Sequence, residues 1–160
     1  MSALDDLILR VEQQERDLRF ERMDLGIAWD LGLLLRRLAV AKSFPLVIDI
    51  ALGEQRIFHA ALPGTSPHNG RWIERKKRTV REWQASSYGV GLRFPVLDPP
   101  YSLESAPWID VREYSGSGGG FPINVTGAGF VGTIAVSGLR HDLDHEFIVG
   151  AVGSFLADGM

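Results

Sequence analysis

The alternation of apolar and polar residues predicts two helices in the first quarter of the chain. Over about residues 2–17, apolar side chains recur three and four positions apart between charged residues, the pattern of an amphipathic helix. A second helix is predicted from Asp24 to about Lys42, with Asp24 as its N-cap. Gly26 and Gly32 are poor helix formers, so their presence inside this segment indicates close packing against a neighbouring element.

Two apolar runs separated by a turn follow and predict a β-hairpin. The runs at residues 46–52 and 56–62 flank Gly53-Glu54, which provides the turn. Residues 63–70 (PGTSPHNG) are rich in turn formers and are expected to form a loop. A third, strongly basic helix is then predicted over about residues 71–88.

The second half of the chain predicts an irregular segment, another hairpin and a last helix. Residues 94–107 hold four of the eight prolines, and glycines cluster at 116–120. Strands are predicted at 121–125 and 130–136, and a helix from about Asp142 to Phe155. This order of elements predicts an α+β fold, with helices packed on an antiparallel sheet in a single domain of residues 1–160.

Composition narrows the possible functions. A formal net charge of -3 provides no overall field that would attract nucleic acid or an anionic membrane, so neither is expected as a partner. The absence of cysteine excludes a disulfide scaffold, thiolate catalysis and cysteine-ligated metals. Neither a signal-peptide pattern nor a long apolar run is present, so a cytoplasmic location is expected.

The string GAGFVG at residues 127–132 matches the G-x-G-x-x-G fingerprint of dinucleotide-binding loops. That fingerprint requires a strand before the glycines and a helix after them. Here the following residues, FVGTIAV, are β-branched and aromatic, which favours a return strand. The glycines are therefore predicted to form a hairpin turn, and Gly132 to mark a bulge or a close neighbour.

Two long segments resemble a known family. Residues 118–152 (GGGFPINVTGAGFVGTIAVSGLRHDLDHEFIVGAV) resemble the C-terminal signature of the haem-degrading-domain family, formerly a domain of unknown function. Residues 45–91 resemble its short uncharacterised branch through the pieces D-I-x-x-G, L-P-G-T-x-P-x-N, W-I-x-R-K and S-S. The resemblance covers most of the chain from about Phe20 onward.

This resemblance implies a profilin-like fold, an antiparallel sheet flanked by helices, and a homo-oligomer. It also implies haem as a possible cofactor, because some family members bind or break down haem. The short branch often has His-Gly-Gly before the Phe-Pro strand, and this chain has Ser117 at the position of that histidine. A mechanism that needed the histidine would be lost here.

The acidic start of the last helix offers candidate catalytic residues. Asp144 and His145 are predicted as an acid/base pair, since a carboxylate beside an imidazole can tune it. His141 and His145 are four residues apart and could face one metal ion, but no third ligand is evident and no metal is predicted. The alternative is that Asp142 caps the helix and the acids favour its dipole.

The basic helix offers candidate contacts for an anion. Arg75 and Lys76 lie within the family-like W-I-x-R-K and are the preferred contacts, while a solvated face paired with acids is the alternative. Ser86, in the family-like S-S, is included as a ligand contact, although capping would also explain it. His59 and His68 are isolated histidines, with a structural role more typical for His59.

The glycine run before the Phe-Pro strand completes the predicted site. Gly118 and Gly119 would let backbone approach a ligand, and Phe121 would form a rigid wall beside it. Together with His145, these residues predict a site for a small anionic or haem-like ligand in the homo-oligomer that the resemblance implies. The alternatives are an enzyme using the Asp144–His145 pair on a small substrate, and a purely structural or partner-binding assembly unit.

Overall fold

A computed structural model describes residues 2–159 of the chain. Its elements follow in the order α1 (Ala3–Asp17), α2 (Leu25–Ala41), β1 (Val47–Leu52), β2 (Gln55–Ala61), α3 (Pro67–Trp83), α4 (Ser87–Leu97), β3 (Gly120–Val125), β4 (Gly129–Ser137) and α5 (His141–Ala157). The strands form one antiparallel sheet in the order β2-β1-β4-β3. The α+β class and the antiparallel sheet flanked by helices are therefore confirmed.

The main core lies on the face of the sheet that α2 and α5 cover. Successive side chains of a strand point to opposite faces, so alternate residues of β1 and β4 enter this core. The residues of β1 and β4 that are fully buried there are Ile48, Ile50, Ile134 and Val136. The helices contribute Leu31, Leu35, Ile148 and Val152 to the same cluster. This burial fixes α5, and with it the acidic start of the helix, against the sheet.

Gly32 explains how α2 comes close to the sheet. A Cβ added at this position would lie 2.2 Å from Cγ of Phe58 on β2, so the ring occupies the space that a side chain would need. The close packing predicted at Gly32 is confirmed. Gly26 has a different setting, since a Cβ there would meet the Asp24 carboxylate at 3.4 Å.

The opposite face of the sheet is covered by α3, and this helix buries two adjacent lysines. Val47, Ile73 and Ala135 form a small apolar cluster between α3 and the sheet. Beside it, Lys76 and Lys77 are only 3% and 4% exposed. A solvated basic face therefore describes only part of α3, because these two ammonium groups point toward the sheet.

The predicted boundaries of the basic helix are wrong at both ends. It begins at Pro67, with Ser66 as its N-cap, because proline is pre-organised for the first helical position. It ends at Trp83, and Gln84 takes a left-handed conformation with φ 51°. Four residues assigned to a loop thus belong to α3, and His68 lies in its first turn.

A helix that the sequence did not predict follows at once. The α4 helix runs through Gly89, Gly91 and Pro95, residues that normally argue against a helix. Gly91 is needed because a Cβ there would lie 2.1 Å from the carbonyl oxygen of Gly116. The irregular segment therefore starts after Leu97, where α4 ends, and not at Phe94.

The string GAGFVG forms the turn and return strand of a hairpin, as predicted. Gly127 and Gly129 have φ of 80° and 83°, in the left-handed region that glycine adopts without strain. Gly132 pairs with Ile123 beside a bulge in β4, where Val131 is the extra residue. A Cβ on Gly132 would lie 2.3 Å from the Ala51 carbonyl oxygen. Strand β4, and not a helix, follows these glycines, so the structure does not support the dinucleotide-binding interpretation.

Candidate functional site

A polar cleft of about 250 Å³ lies where α3 and α5 begin and β4 ends. The first turns of the two helices supply most of its walls, and the glycine-rich segment before β3 closes one side. The residues that matter for its chemistry are His68, Asn69, Lys76, Ser117, His141 and Asp144. Sites that enclose a drug-sized ligand measure roughly 300–1,000 Å³, so this cleft suits a smaller molecule.

A buried ion pair forms the floor of the cleft. Lys76 Nζ lies 3.1 Å from Asp144 Oδ2 and donates a second hydrogen bond to the carbonyl oxygen of Val136 at 2.9 Å. The other carboxylate oxygen, Oδ1, accepts from the backbone N–H of Leu139 at 3.0 Å. An ammonium group has three hydrogens, so one remains without a partner among residues 2–159.

Burial moves the two groups of this pair toward their neutral forms. Desolvation lowers the pKa of Lys76, while the charge and the hydrogen bond of Asp144 oppose the shift. Desolvation also raises the pKa of Asp144, against the charge of Lys76 and the backbone hydrogen bonds that the carboxylate accepts. The lysine therefore holds its proton less firmly than an exposed lysine does.

The glycine-rich segment packs tightly against this floor. Gly118 N–H donates to Nδ1 of His141 at 3.2 Å, which orients that imidazole. Gly119 has φ 121°, and a Cβ on it would lie 2.7 Å from Lys76 Nζ and 2.6 Å from the Val136 carbonyl oxygen. The close backbone approach expected for these glycines is made to the Lys76 amine and to neighbouring backbone.

Gly119→Ala should lower the free energy of unfolding by at least about 2 kcal/mol, because it adds steric overlap to a backbone conformation reserved for glycine. Gly127→Ala is the matched control, since Gly127 also has a positive φ but nothing lies within 4 Å of its added Cβ. The control should cost about 1 kcal/mol. Urea denaturation measures both, and equal losses would refute a steric role for Gly119.

His145 lies apart from the cleft, and its predicted pairing with Asp144 is not formed within the described residues. Its Nε2 donates to Oε1 of Gln14 in α1 at 2.7 Å, and its ring packs against Tyr88 at 4.9 Å and Phe121 at 6.0 Å. Burial, with a smaller effect from the charge of Arg10, lowers the pKa of His145 to about 4. The Asp144 carboxylate faces Lys76 instead, so these two neighbours do not act on one proton.

The remaining predicted contacts are distributed around the cleft or away from it. Arg75 lies in an adjoining groove of about 610 Å³, where its guanidinium stacks 4.1 Å from the centre of the Trp72 ring and Nε donates to the Tyr114 carbonyl oxygen. Ser86 is the buried N-cap of α4 and donates to Glu15 at 2.7 Å. The structure therefore brings Lys76, Gly119 and Asp144 together, and not Ser86.

His68 and His141 are cleft residues that sequence reasoning did not select. The sequence suggests His141 only as a metal partner of His145, and it predicts a loop at His68. The predicted N-cap is also corrected, because Arg140 precedes α5 and pairs with Asp142 at 2.6 Å. The Ser-Pro start of α3 was the signal that could have placed His68 on a helix.

A second buried acid, Asp49, lies under α3 at the centre of β1. Arg56 donates to its Oδ2 at 2.8 Å, and His59 Nδ1 approaches the same oxygen at 3.1 Å. Lys77 Nζ lies 3.0 Å from Oδ1, an ion-pair contact without hydrogen-bond angles. A charged residue in an otherwise apolar run is nearly always paired when buried, so Asp49 in VIDIAL could have indicated this network.

Among residues 2–159, no group of three or more His, Cys, Asp or Glu side chains is arranged to hold a metal ion. No helix in the same part of the chain has the length and apolar character needed to cross a membrane.

The fold and the cleft define a profilin-like α+β domain with a polar site at one end of its sheet. The sequence matches the HbpS-like haem-degrading protein family over residues 23–153, and the chain belongs to this family. A UPF0303 protein of Streptomyces avermitilis is 43% identical over 155 residues, covering 97% of this chain and 94% of the relative. A UPF0303 protein of Pseudomonas entomophila is 42% identical over 160 residues, covering 98% and 85%.

Solved structures of lower sequence identity share the fold. The Ybr137w protein superposes with a TM-score of 0.84 at 24% identity, covering 94% of this chain and 88% of that one. PduOC, solved as a haem complex, gives 0.68 at 16% identity, covering 82% and 94%. At these identities the similarity concerns the architecture alone.

Proposed function

We propose that this protein binds a small carboxylate-bearing molecule in the cleft between α3 and α5. The observation that supports the proposal best is the buried Lys76 amine at the cleft floor, with one hydrogen left for a ligand. Its neighbour Asp144 is already neutralised by the ion pair, so it presents no free negative charge to repel an anion.

The walls of the cleft add further hydrogen-bonding groups. His68 and His141 contribute imidazoles from the first turns of α3 and α5, and Asn69 contributes an amide. Both helices point their N-terminal ends toward this region, which favours negative charge. A carboxylate at the cleft can therefore accept several hydrogen bonds while its remaining atoms contact Trp72 and Leu139.

Haem fits these residues less well than a small carboxylate does. An axial imidazole needs a free, accessible nitrogen lone pair. His68 Nε2 accepts from the Trp72 indole, and His141 Nδ1 accepts from Gly118, so each neutral ring has its hydrogen on the other nitrogen. The unpartnered Nδ1 of His145 is buried. A haem-like ligand is therefore the second candidate, supported by the family's description.

His141→Ala should weaken carboxylate binding by about tenfold, because one hydrogen bond to a charged group is lost. Calorimetric titration with acetate, pyruvate and succinate measures this, and absorbance titration with haemin tests the second candidate in parallel. His59→Ala is the control, since His59 lies outside the cleft on β2, and its affinities should match those of the unaltered protein.

No saturable binding of any of these compounds would refute the proposed function. Saturable binding of haemin alone would favour the haem-like ligand.

The predicted homo-oligomer is also proposed, on the basis of an exposed apolar face of α2. Its residues are Leu25, Trp29, Leu33 and Val40. Sedimentation velocity of the same samples gives the oligomeric state, and a monomer would refute this part.

A further inference from the structure

The chain uses lysine sparingly, and two of its lysines are buried side by side. Of seventeen basic residues only three are lysines, namely Lys42, Lys76 and Lys77. Lys42 follows α2 and is exposed, whereas Lys76 and Lys77 belong to α3 and are buried between this helix and the sheet. Lysine and arginine differ chemically, because an amine can lose its proton and attack a carbonyl carbon, and a guanidinium cannot.

We propose that Lys76 Nζ forms a reversible Schiff base with a small 2-oxo acid held in the cleft. This proposal rests on the proposed function, since the carboxylate of the 2-oxo acid is the group that the cleft binds. Lys76 lines the cleft, while Lys77 does not line it and pairs with Asp49. The two adjacent lysines therefore have different roles.

The position of Asp144 supplies the proton transfers that imine formation requires. Oδ2 of Asp144, 3.1 Å from Nζ, accepts one proton from the ammonium group and leaves a neutral amine. The amine attacks the carbonyl carbon, and a C–N bond forms as the carbonyl oxygen becomes a hydroxyl. That hydroxyl leaves as water with the proton from Asp144. In the net reaction, an ammonium ion and a ketone give a protonated imine and water.

The surroundings of Nζ favour this chemistry geometrically. The Val136 carbonyl oxygen accepts from Nζ at 2.9 Å and fixes the end of a long flexible side chain. Gly119 leaves the space beside the amine free of a Cβ, which would otherwise lie 2.7 Å from it. The cleft volume of about 250 Å³ accommodates a small 2-oxo acid such as pyruvate.

Borohydride trapping tests the proposal directly. The full chain is incubated with pyruvate, reduced with sodium borohydride and digested, and the adduct on each lysine is quantified by mass spectrometry. Labelling of Lys76 should exceed that of Lys42 and Lys77 by at least about tenfold, because bound substrate reacts at a high effective concentration. Acetone, a ketone without the carboxylate, should label Lys76 much less.

Variants and urea-unfolded protein distinguish a reaction that is specific to Lys76 from general labelling of lysines. Lys76→Arg should abolish the label, Asp144→Asn should slow it, and the control Lys42→Arg should leave it unchanged. Urea-unfolded protein should label its lysines equally, and this comparison needs no variant to fold. Pyruvate binding by calorimetry without an adduct on Lys76 would overturn the Schiff base and leave the proposed function intact. Absence of an adduct together with no binding of acetate, pyruvate, succinate or haemin would overturn both.

Discussion

Lys76→Met should lower the free energy of unfolding by about 3–5 kcal/mol, the usual cost of leaving one member of a buried ion pair alone. Both partners are nearly inaccessible, since Lys76 is 3% and Asp144 1% exposed. The methionine side chain nearly matches lysine in length but provides no charge and no hydrogen-bond donor. Urea denaturation followed by circular dichroism at neutral pH measures the loss.

A double variant identifies the cause of that loss. Lys76→Met combined with Asp144→Asn removes the unpaired charge and keeps an oxygen that can accept from the Leu139 N–H. It should recover more than half of the lost stability, because the cost arises from the uncompensated carboxylate. Arg112→Ala breaks an exposed ion pair and should leave the urea midpoint nearly unchanged. A single variant as stable as the unaltered protein would contradict the burial of the pair.

The second large effect expected is a loss of stability between pH 6.5 and 4 caused by His145. Its pKa is about 4 in the folded protein, against 6.5 for an unperturbed histidine. Within that window the unfolded state binds a proton and the folded state does not, so stability falls as the pH falls. The shift corresponds to about 3 kcal/mol at 1.36 kcal/mol per pKa unit, fully lost below pH 4.

Comparison with His145→Gln isolates this effect. Urea midpoints of the two proteins are measured from pH 7.5 to 4, and the difference between them should shrink or reverse as the pH falls. The raised pKa of Asp144 acts in the opposite direction but is present in both proteins, so it cancels. Asp142, with a pKa of about 2, loses its contribution only below pH 3.8. A constant difference across the range would show that His145 takes up its proton while the protein stays folded.

The strands and the core were predictable because they depend on a pattern that is local in sequence. The run VIDIAL and the return strand FVGTIAV alternate or cluster apolar residues over lengths typical of strands, and the turn glycines separate them. Helix α4 was not predictable in this way. Its glycine at position 91 is required by a contact with Gly116, and its helical state is maintained by packing that only the folded chain provides.

The site was only partly predictable for a related reason. Asp144, Lys76 and Gly119 were each selected, but their mutual contacts join segments 25 to 68 residues apart. The adjacent pair Asp144–His145 seemed a natural unit in sequence. Neighbouring residues of a helix point about 100° apart, however, so one faces the cleft and the other faces α1. Sequence adjacency therefore suggests His145 as the partner of Asp144, whereas the carboxylate pairs with Lys76 in the fold.

The two adjacent lysines of α3 also fix the rotation of this helix about its own axis. Lys76 pairs with Asp144 on α5, and Lys77 pairs with Asp49 on β1, so consecutive residues point to acids on different elements. Turning the helix by one residue, about 100°, would take the lysine partner away from both acids at once. Apolar contacts such as those of Ile73 tolerate small rotations, whereas two buried charges in different directions permit a single docking angle. This angle holds His68 and Asn69 over the cleft.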